Sequence, residues 1–408
     1  MLRLIVKNFG VLKDIDIEIH ETNLFIGDNG SGKSTLAKLI TVIANFTLNE
    51  DEILQRLKEF DINFLNEECF IQVLEDEKKL LEINNTQVEL FQRKEELEKE
   101  KTKFKLLKQF KKFKRLIESE EFVELVKSVE LEELVRSEEF VRSEEFIEPV
   151  KSRELIKKIL KILKNVKNFE AKINLHTPKY IPSERNLISL FDQSLSNMIS
   201  AQIPLPRALL EFSASYNSAR NDIKELSLLG MQYKNENSQD RVYYEDGNYL
   251  TLSNSSSGIQ SALPLYLTLK YFASKPGYIM VEEPEQNLYP KSQIETVKFM
   301  VENRGKNSLS IMTHSPYILS ILNVLIFAHK ASNTNDTLKE KISAIIPQAQ
   351  QIDPDKFSAY LIEDGISKNI KGESTGMIQE NTIDNIGDRL DDEFNELLDI
   401  YSEFKSEK

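Results

Sequence analysis

Residues 27–34 read GDNGSGKS, which matches the P-loop pattern for phosphate binding in full. Its glycines let the backbone wrap around a phosphate, and the N–H groups at the start of the following helix attract the anion. In this pattern Lys33 reaches the β- and γ-phosphates and Ser34 is a ligand of Mg²⁺. The alternative is a glycine-rich turn that matches by chance, but an apolar run precedes the loop and a helical pattern follows it. The sequence therefore predicts an ATP and Mg²⁺ site made by Gly27, Asn29, Gly30, Ser31, Gly32, Lys33, Ser34 and Thr35.

Two adjacent glutamates end another apolar run, in MVEEPEQNLYP at residues 280–290. Mg²⁺ prefers hard oxygen ligands and keeps several waters, so Glu282 at the end of a buried strand is predicted as the metal ligand, a position where aspartate is usual. Glu283 is predicted to polarise the attacking water as the general base. The alternative is a pair of surface acids after an edge strand. The P-loop upstream favours one hydrolytic site that contains both carboxylates.

The opening of the chain resembles a known group of ATPases. LRLIVKNFGVLKDIDIEI followed by NLFIGDNGSGKSTLAKLI is similar to the first lobe of ABC-type ATPases of the RecF, SMC and OLD group, where a KNF-like turn precedes a GxNGSGKS loop. EEPEQNLYP resembles the EEPE form of RecF and OLD-like members. The resemblance extends to about residue 325 and leaves out the middle of the chain and the tail. It implies an α/β P-loop NTPase of the ABC-head type, with an antiparallel β subdomain and an inserted α-helical hairpin or bundle.

The resemblance implies roles for two further groups of residues near the glutamates. Glu285, Gln286 and Asn287 lie where such ATPases have the D-loop, although an ordinary polar turn before a helix would look the same. His314, in IMTHSPYIL after the next apolar run, resembles the switch histidine that hydrogen-bonds the γ-phosphate. The alternative for His314 is a structural histidine. We predict it as a catalytic residue together with Glu283.

Two weaker matches complete the predicted nucleotide site. In LSNSSSGIQSALPL, residues 252–265, Ser256, Ser257 and Gly258 align with the ABC signature that contacts the γ-phosphate of the opposite subunit. A serine-rich loop that caps the following helix is the alternative. Arg185 in IPSERN is predicted near the nucleotide by similarity to P-x-E-R turns of OLD-like ATPases, with a surface ion pair as the alternative.

These residues need a set of strands and helices to position them. Period-two alternation over residues 2–19 predicts an antiparallel hairpin, and a strand, the glycine-rich loop and a helix follow. KYIPSERN, GYIMVEEPE and SLSIMTHSPYIL each begin with a predicted strand. SAYLIEDGISKNI predicts a second hairpin, and DNIGDRLDDEFNELLDIYSEF a closing acidic helix.

The middle of the chain is rich in Glu, Lys and Leu and contains a recurring SEEF, which is typical of a solvent-exposed helical segment. We predict an N-terminal lobe at 1–50, a helical arm at 51–172, the rest of the ATPase head at 173–330, and a C-terminal α/β tail at 331–408. The basic stretch KTKFKLLKQFKKFKR at 101–115 could contact DNA phosphates, or its lysines could be the solvated face of a helix.

Composition excludes several classes of protein. The 408 residues are 40% hydrophobic and 29% charged with a formal net charge of −13, which argues against a surface that is basic throughout but leaves room for a local basic patch. The single cysteine, Cys69, excludes an internal disulfide or a zinc hook. The longest apolar run is too short for a bilayer, so a cytoplasmic protein without a membrane is predicted. The tail lacks a D-x-D strand, so no Toprim nuclease is expected.

The combined expectation is an ATPase that forms a homodimer or higher oligomer around ATP and regulates a partner effector, a nuclease or toxin, in bacterial anti-phage defence. The role and the partner are implied by the resemblance. The first alternative is a RecF- or SMC-like ATPase that binds DNA in repair or maintenance. A nucleotide-binding subunit of a transporter is the second, and the charged insertion and the KNF opening argue against it.

Overall fold

The computed structural model describes six stretches of the chain: residues 1–45, 48–91, 178–190, 203–244, 247–379 and 392–398. The chain divides into two compact units, the first made of Met1–Leu90 with His176–Lys408 and the second of Phe91–Leu175. The SEEF repeats and the basic stretch at 101–115 lie outside the described residues, as does most of the predicted helical arm. The following description concerns the first unit.

Two sheets and a set of helices make up the described part of this unit. Its strands are β1 (Leu2–Phe9), β2 (Leu12–Ile19), β3 (Thr22–Ile26), β4 (Phe70–Glu75), β5 (Lys78–Asn84), β6 (Gln87–Leu90), β7 (Lys179–Ile181), β8 (Glu225–Leu228), β9 (Met231–Glu236), β10 (Gln239–Tyr243), β11 (Tyr249–Thr251), β12 (Tyr278–Glu282), β13 (Ser308–Thr313), β14 (Phe357–Glu363) and β15 (Ile366–Asn369). Its α-helices are α1 (Lys33–Ile43), α2 (Glu50–Glu59), α3 (Asn186–Leu190), α4 (Arg207–Asp222), α5 (Ser257–Phe272), α6 (Pro290–Asn303), α7 (Pro316–Ser332) and α8 (Asp336–Ser343).

The larger sheet has the strand order β6-β5-β4-β1-β2-β15-β14-β3-β13-β12-β7. The pairs from β6 to β2 are antiparallel. The pairs from β14 through β3, β13 and β12 to β7 are parallel. Because the carboxyl ends of parallel strands meet at one edge, the loops after β3, β12, β13 and β7 converge there. This edge carries the predicted site.

The central parallel strands are buried on both faces. All five residues of β3 are buried, which is the pattern of a strand covered on both sides. Leu24 and Ile26 belong to the hydrophobic core on one face, with α5, α6 and α7, and Phe25 belongs to the core on the other face, with α1. Alternate side chains of one strand point to opposite faces, so β3 connects the two cores. The predicted α/β fold with an antiparallel part is confirmed.

Residues 50–90 differ from the predicted helical segment. They form α2 and then the strands β4, β5 and β6, which extend the antiparallel half of the large sheet. Ile71 and Val73 are buried in alternation with more exposed neighbours. Asp76 and Glu77 both have positive φ, at 47° and 63°, as the tight turn of a two-residue hairpin requires. The high Glu and Lys content of these strands conceals their period-two pattern.

The predicted hairpin in the tail is present, and its position in the fold was not predicted. Strand β14 pairs with β15 and also lies parallel to β3, with Phe357 opposite Thr22. Six of its seven residues are buried, as expected for a strand inside a sheet. Residues 392–398, inside the predicted closing helix, are helical. Among the described residues, no helix combines the length and apolarity that a membrane span requires.

The smaller sheet has the antiparallel order β11-β10-β9-β8 and contains a buried polar cluster. The carboxylate of Asp240 accepts hydrogen bonds from the hydroxyls of Tyr216 and Tyr233, at 2.5 and 2.7 Å. It also accepts one from the amide of Asn235 at 2.7 Å. Arg220 Nε lies 3.1 Å from the same carboxylate. Asp240 therefore joins α4 to this sheet.

Candidate active site

A cleft of about 280 Å³ opens at the carboxyl edge of the parallel strands. The P-loop, the two glutamates and His314 contribute to its wall, although they are far apart in the sequence. The lining residues are Val11, Asn29, Gly30, Gly32, Lys33, Ser34, Thr35, Glu282, Glu283, Met312 and His314. The fold therefore brings most of the predicted site residues to one place. Six predicted residues are not part of this wall: Gly27, Ser31, Arg185, Ser256, Ser257 and Gly258.

The P-loop connects β3 to α1, and the structure shows why glycine is required at two of its positions. Gly27 has a φ of +152°, and a Cβ there would lie 2.0 Å from the backbone oxygen of Ile362 in β14. Gly32 has a φ of +107°, and a Cβ there would lie 2.6 Å from Leu12 Cδ2. No side chain caps the start of α1, and its first turn contains no acidic residue. The start of α1 therefore suits an anion such as a phosphate.

Lys33 is almost fully buried in the P-loop. Its Nζ donates to the carbonyl oxygens of Gly27 and Asp28, at 2.7 and 2.8 Å, and to Ser31 Oγ at 3.3 Å. Burial lowers the pKa of Lys33, and the nearby carboxylates, Asp28 first among them, oppose that change. A phosphate would offer this ammonium a charged acceptor in place of neutral carbonyls. A hydrogen bond to a charged acceptor is the stronger of the two interactions.

Glu282 ends β12 and is 5% exposed. Burial raises the pKa of Glu282, and the neighbouring hydroxyls of Tyr180 and Ser34 oppose that change. One oxygen, Oε1, is buried without a hydrogen-bond partner in the described part of the chain. Buried carboxylates need a partner, and a divalent cation is one.

The arrangement around Glu282 fits Mg²⁺. Glu282 Oε1 and the Ser34 hydroxyl are hard oxygens at the P-loop. The described residues contain no group of three or more His, Cys, Asp or Glu side chains that could enclose a metal by themselves. Mg²⁺ characteristically takes one or two protein ligands and completes its shell with waters and substrate phosphates. Glu282 and Ser34 are therefore the residues that would hold it.

The next residue, Glu283, has an unusual backbone conformation, with φ at 41°. Its N–H donates to the Met312 carbonyl at 2.8 Å, and its own carbonyl accepts from Arg185 Nη2 at 2.7 Å. The side chain is 41% exposed, and its carboxylate lies 3.9 Å from His314 Nε2. A left-handed residue of this kind is uncommon outside glycine and is often found at functional sites. The turn directs Glu283 into the cleft while Glu282 stays buried.

Glu285 contacts the strand that carries His314. Its Oε1 accepts hydrogen bonds from Thr313 Oγ1 at 2.7 Å and from the His314 N–H at 2.8 Å. The sequence placed Glu285 in a D-loop, and in the structure its side chain fixes the end of β13. Glu285 therefore positions His314, a role that sequence reasoning missed. The acid two residues after the glutamate pair was the available signal.

Arg185, which the sequence predicts near the nucleotide, does not line the cleft. Residues 183–185 form a 3₁₀ turn after β7, and Arg185 has no exposed surface. Its guanidinium donates to backbone oxygens of four residues: Pro182, Ser261, Glu282 and Glu283. It neither lines the cleft nor forms a surface ion pair, because the turn points it into the interior. It lies behind the two glutamates instead.

The signature-like residues begin α5, outside the cleft of their own chain. Ser256 precedes the helix, and its side chain makes no capping hydrogen bond, contrary to the capping alternative. Ser256 and Ser257 are exposed. A Cβ at Gly258 would lie 2.8 Å from the carbonyl oxygen of Asn287, so this glycine lets the predicted D-loop pass close to the start of α5.

A buried glutamine that the sequence analysis did not single out shapes this loop. Gln260 Nε2 donates to the carbonyl oxygens of Ser253 and Ser255, at 2.9 and 3.0 Å. These bonds hold the serine-rich loop against the first turn of α5. A glutamine inside an apolar helix was the signal that could have identified it.

The raised pKa of Glu282 leads to a test of the metal site. Because the pKa of Glu282 is raised, the folded protein binds a proton at this group more tightly than the unfolded chain does. Without Mg²⁺, the free energy of unfolding therefore falls as the pH rises from 4.5, the ordinary pKa of this group, through its raised pKa in the folded protein. Mg²⁺ binds the deprotonated carboxylate. We expect the increase in thermal midpoint caused by Mg²⁺, at a fixed concentration of a non-hydrolysable ATP analogue, to grow with pH across that window.

The matched variant is Glu282→Gln, which keeps the shape and removes the titration. We expect it to show a smaller effect of Mg²⁺ and a weaker growth of that effect with pH, because only the terminal phosphate of the analogue still titrates. An equal, pH-dependent effect of Mg²⁺ in Glu282→Gln would show that another group holds the metal.

The chain is similar to a protein family and to several solved structures. A family profile described as "AAA ATPase domain" matches residues 1–319. No curated protein matches the sequence. Similar solved structures include the SMC head domain from Thermotoga maritima, with 12% identity over 91% of this chain and 98% of that chain and a TM-score of 0.38. They also include the Smc head domain from Pyrococcus furiosus bound to the C-terminal domain of ScpA, with 12% identity, 91% and 96% coverage and a TM-score of 0.35. A post-hydrolysis dimer of the ATP-binding cassette MJ0796 with ADP and Pi has 11% identity, 91% and 100% coverage and a TM-score of 0.34.

Proposed function

The chain belongs to the family of AAA ATPase domains, and we propose that it hydrolyses ATP in the cleft at the carboxyl edge of its parallel strands. One observation carries the proposal. Residues from three separate parts of the sequence, the P-loop, the Glu282–Glu283 pair and His314, line one cleft. A phosphate-binding loop, a buried carboxylate with a free oxygen and an exposed carboxylate are the groups that phosphoryl transfer to water requires.

The chemistry divides between the two glutamates because their environments differ. Glu282 is buried beside Ser34, and the Mg²⁺ that they would hold supplies charge neutralisation on the phosphates when it is bound. Glu283 is the exposed member, so its carboxylate orients a water and accepts the water's proton. Lys33 stabilises negative charge on the phosphates, and His314 donates a hydrogen bond to the terminal phosphate.

We also propose that two copies of the chain close around ATP. Ser256, Ser257 and Gly258 are outside the cleft of their own chain, while Ser256 and Ser257 are exposed at the start of a helix. Hydroxyl and N–H groups at a helix start attract phosphate. A second copy could present this loop to the nucleotide held by the first. The expected assembly is a homodimer that ATP stabilises and hydrolysis releases.

The work done by this cycle is proposed from resemblance. EEPEQNLYP is similar to the EEPE form of RecF and OLD-like ATPases, and such stand-alone ATPases are frequent in bacterial defence against phage. We therefore propose that the chain regulates a partner effector, a nuclease or toxin. The RecF- or SMC-like role on DNA rests on the same motif, so the experiment must separate the two.

The test is steady-state ATP turnover with and without duplex DNA, and with the proteins encoded beside this chain. Lys33→Ala, which removes the phosphate-binding ammonium, is the control for contaminating ATPases. Turnover that responds to a neighbouring protein and not to DNA supports the effector role. Turnover that DNA stimulates supports the DNA-directed role. Turnover equal in the native chain and in Lys33→Ala would reject the ATPase itself.

A further inference from the structure

We propose that Arg185 is a positioning residue that links α5, the helix after the signature-like loop, to the backbone of Glu283. The inference rests on the proposed function, since it concerns how Glu283 is held for hydrolysis. Arg185 does not line the cleft itself.

The guanidinium of Arg185 spans two elements of the fold. Nη1 and Nη2 donate to the carbonyls of Glu282 and Glu283, at 2.8 and 2.7 Å, where β12 ends. Nε donates to the carbonyl of Ser261 in the first turns of α5, at 3.1 Å. Nη1 also donates to the carbonyl of Pro182 at 3.1 Å, which fixes the arginine in its own turn. The planar group thus holds α5 and the catalytic turn at a set distance.

A proline inside α5 explains why this helix offers the carbonyl of Gln260 to a neighbour. Pro264 lies within α5 and has no N–H, so the carbonyl of Gln260, four residues earlier, has no helical donor. Ser189 Oγ donates to that carbonyl at 2.8 Å. The carbonyl of Ser261, the next residue, accepts from Arg185. The segment 185–189 therefore contacts α5 at the turn that Pro264 opens.

The left-handed conformation of Glu283 needs contacts that hold it. Its N–H is fixed by the carbonyl of Met312 from β13, at 2.8 Å, and its carbonyl is fixed by Arg185. Residues in rare backbone conformations persist when the surroundings over-determine them. Removing Arg185 would free one side of this peptide and let the carboxylate leave its position.

The charge of Arg185 also suits this place. Burial lowers its pKa to about 10, and the surrounding glutamates, Glu285 first, oppose that change. It therefore remains a cation at neutral pH among the carboxylates of the site. A neutral side chain of similar length would lose the hydrogen bonds and this charge together.

The link has a consequence for the assembly. Ser256 and Ser257 start the helix whose next turns Arg185 contacts. A second copy that engages this loop would move or fix α5, and Arg185 would transmit that change to Glu283. Arg185 would thus couple contact between copies to hydrolysis.

The experiment measures kcat, KM and the Kd of a fluorescent ATP analogue for Arg185→Met, Arg185→Lys and Glu283→Gln. We expect Arg185→Met to lower kcat about 100-fold, the effect of a reacting group misplaced by about 1 Å, while Kd stays near the native value. Arg185→Lys should lower kcat about tenfold, because an ammonium has no planar fork to reach Glu283 and Ser261 together. A general loss of folding would weaken nucleotide binding as well, so a lower kcat with an unchanged Kd is not expected from it.

Arg220→Met is the matched control for the loss of a buried arginine. Arg220 is 7% exposed and belongs to the cluster of the smaller sheet. We expect this variant to lower the thermal midpoint and leave kcat native. Native kcat in both Arg185 variants would overturn the inference, as would losses of kcat matched by losses of binding. If Arg185→Met does not fold, Arg185→Lys decides. Native-like turnover of Glu283→Gln would instead reject the proposed function.

Discussion

Replacing Glu283 with glutamine is expected to lower ATP turnover by about 10²–10⁴-fold, the usual contribution of a general base, while ATP still binds. Glutamine has nearly the same shape and cannot accept a proton from water at neutral pH. The P-loop, Glu282 and Ser34 are unchanged in this variant, so nucleotide and metal keep their ligands. ATP-bound dimers should therefore accumulate, because the step that releases them is blocked.

The measurement combines turnover, nucleotide binding and molar mass in solution on the same samples. Glu363→Gln is the matched control. Glu363 also ends a strand at the same edge of the large sheet, β14, but it is exposed and does not line the cleft. Its variant should keep native turnover. If Glu283→Gln hydrolyses ATP at the native rate, the catalytic role belongs to another residue and the assignment of the two glutamates is wrong.

The second large effect is on stability. Replacing Asp240 with alanine should lower the free energy of unfolding by about 3–5 kcal/mol, the cost of breaking a buried ion pair by removing its carboxylate. Asp240 is 2% exposed and accepts hydrogen bonds from Tyr216, Tyr233 and Asn235. The change would remove these acceptors and leave the Arg220 cation, itself nearly buried, without this carboxylate.

Urea unfolding followed by circular dichroism measures this loss. Asp16→Ala is the control, since Asp16 pairs with Arg3 at 2.7 Å but the two side chains are 49% and 37% exposed. Exposed pairs of this kind contribute about 0–1 kcal/mol. A loss for Asp240→Ala no larger than that for Asp16→Ala would mean that water reaches the cluster, and that the smaller sheet is joined to α4 by apolar packing alone.

Local sequence was enough to predict the P-loop and the first hairpin. The function of GDNGSGKS can be recognised from the sequence alone, because glycines, a lysine and a hydroxyl at these spacings are sufficient to bind a phosphate wherever a strand and a helix flank them. The sequence also predicted strands β1 and β2 from their alternation and strands β12 and β13 from their apolar runs, since side-chain direction follows a local period. The family match confirms the ATPase-type domain that these motifs predicted.

The strands β4, β5 and β6 show where the local pattern was misleading. Their charged residues suggested a helical arm, and the alternation of buried Ile71 and Val73 was short and surrounded by Glu and Lys. Pairing with β1 decided between the two structures. The position of β14 beside β3 is likewise a long-range pairing, which loop length and composition do not encode.

The motifs alone were sufficient to predict a phosphate-binding loop and two adjacent carboxylates suited to a metal and a water. The folded chain was needed to show that Glu285 holds the strand of His314 and that the fully buried Arg185 lies behind the two glutamates. Binding motifs are set by neighbouring residues along the chain, so they can be recognised before the fold is known. Burial, backbone strain and hydrogen bonds to carbonyls depend instead on segments that are distant in the sequence and meet only in the fold.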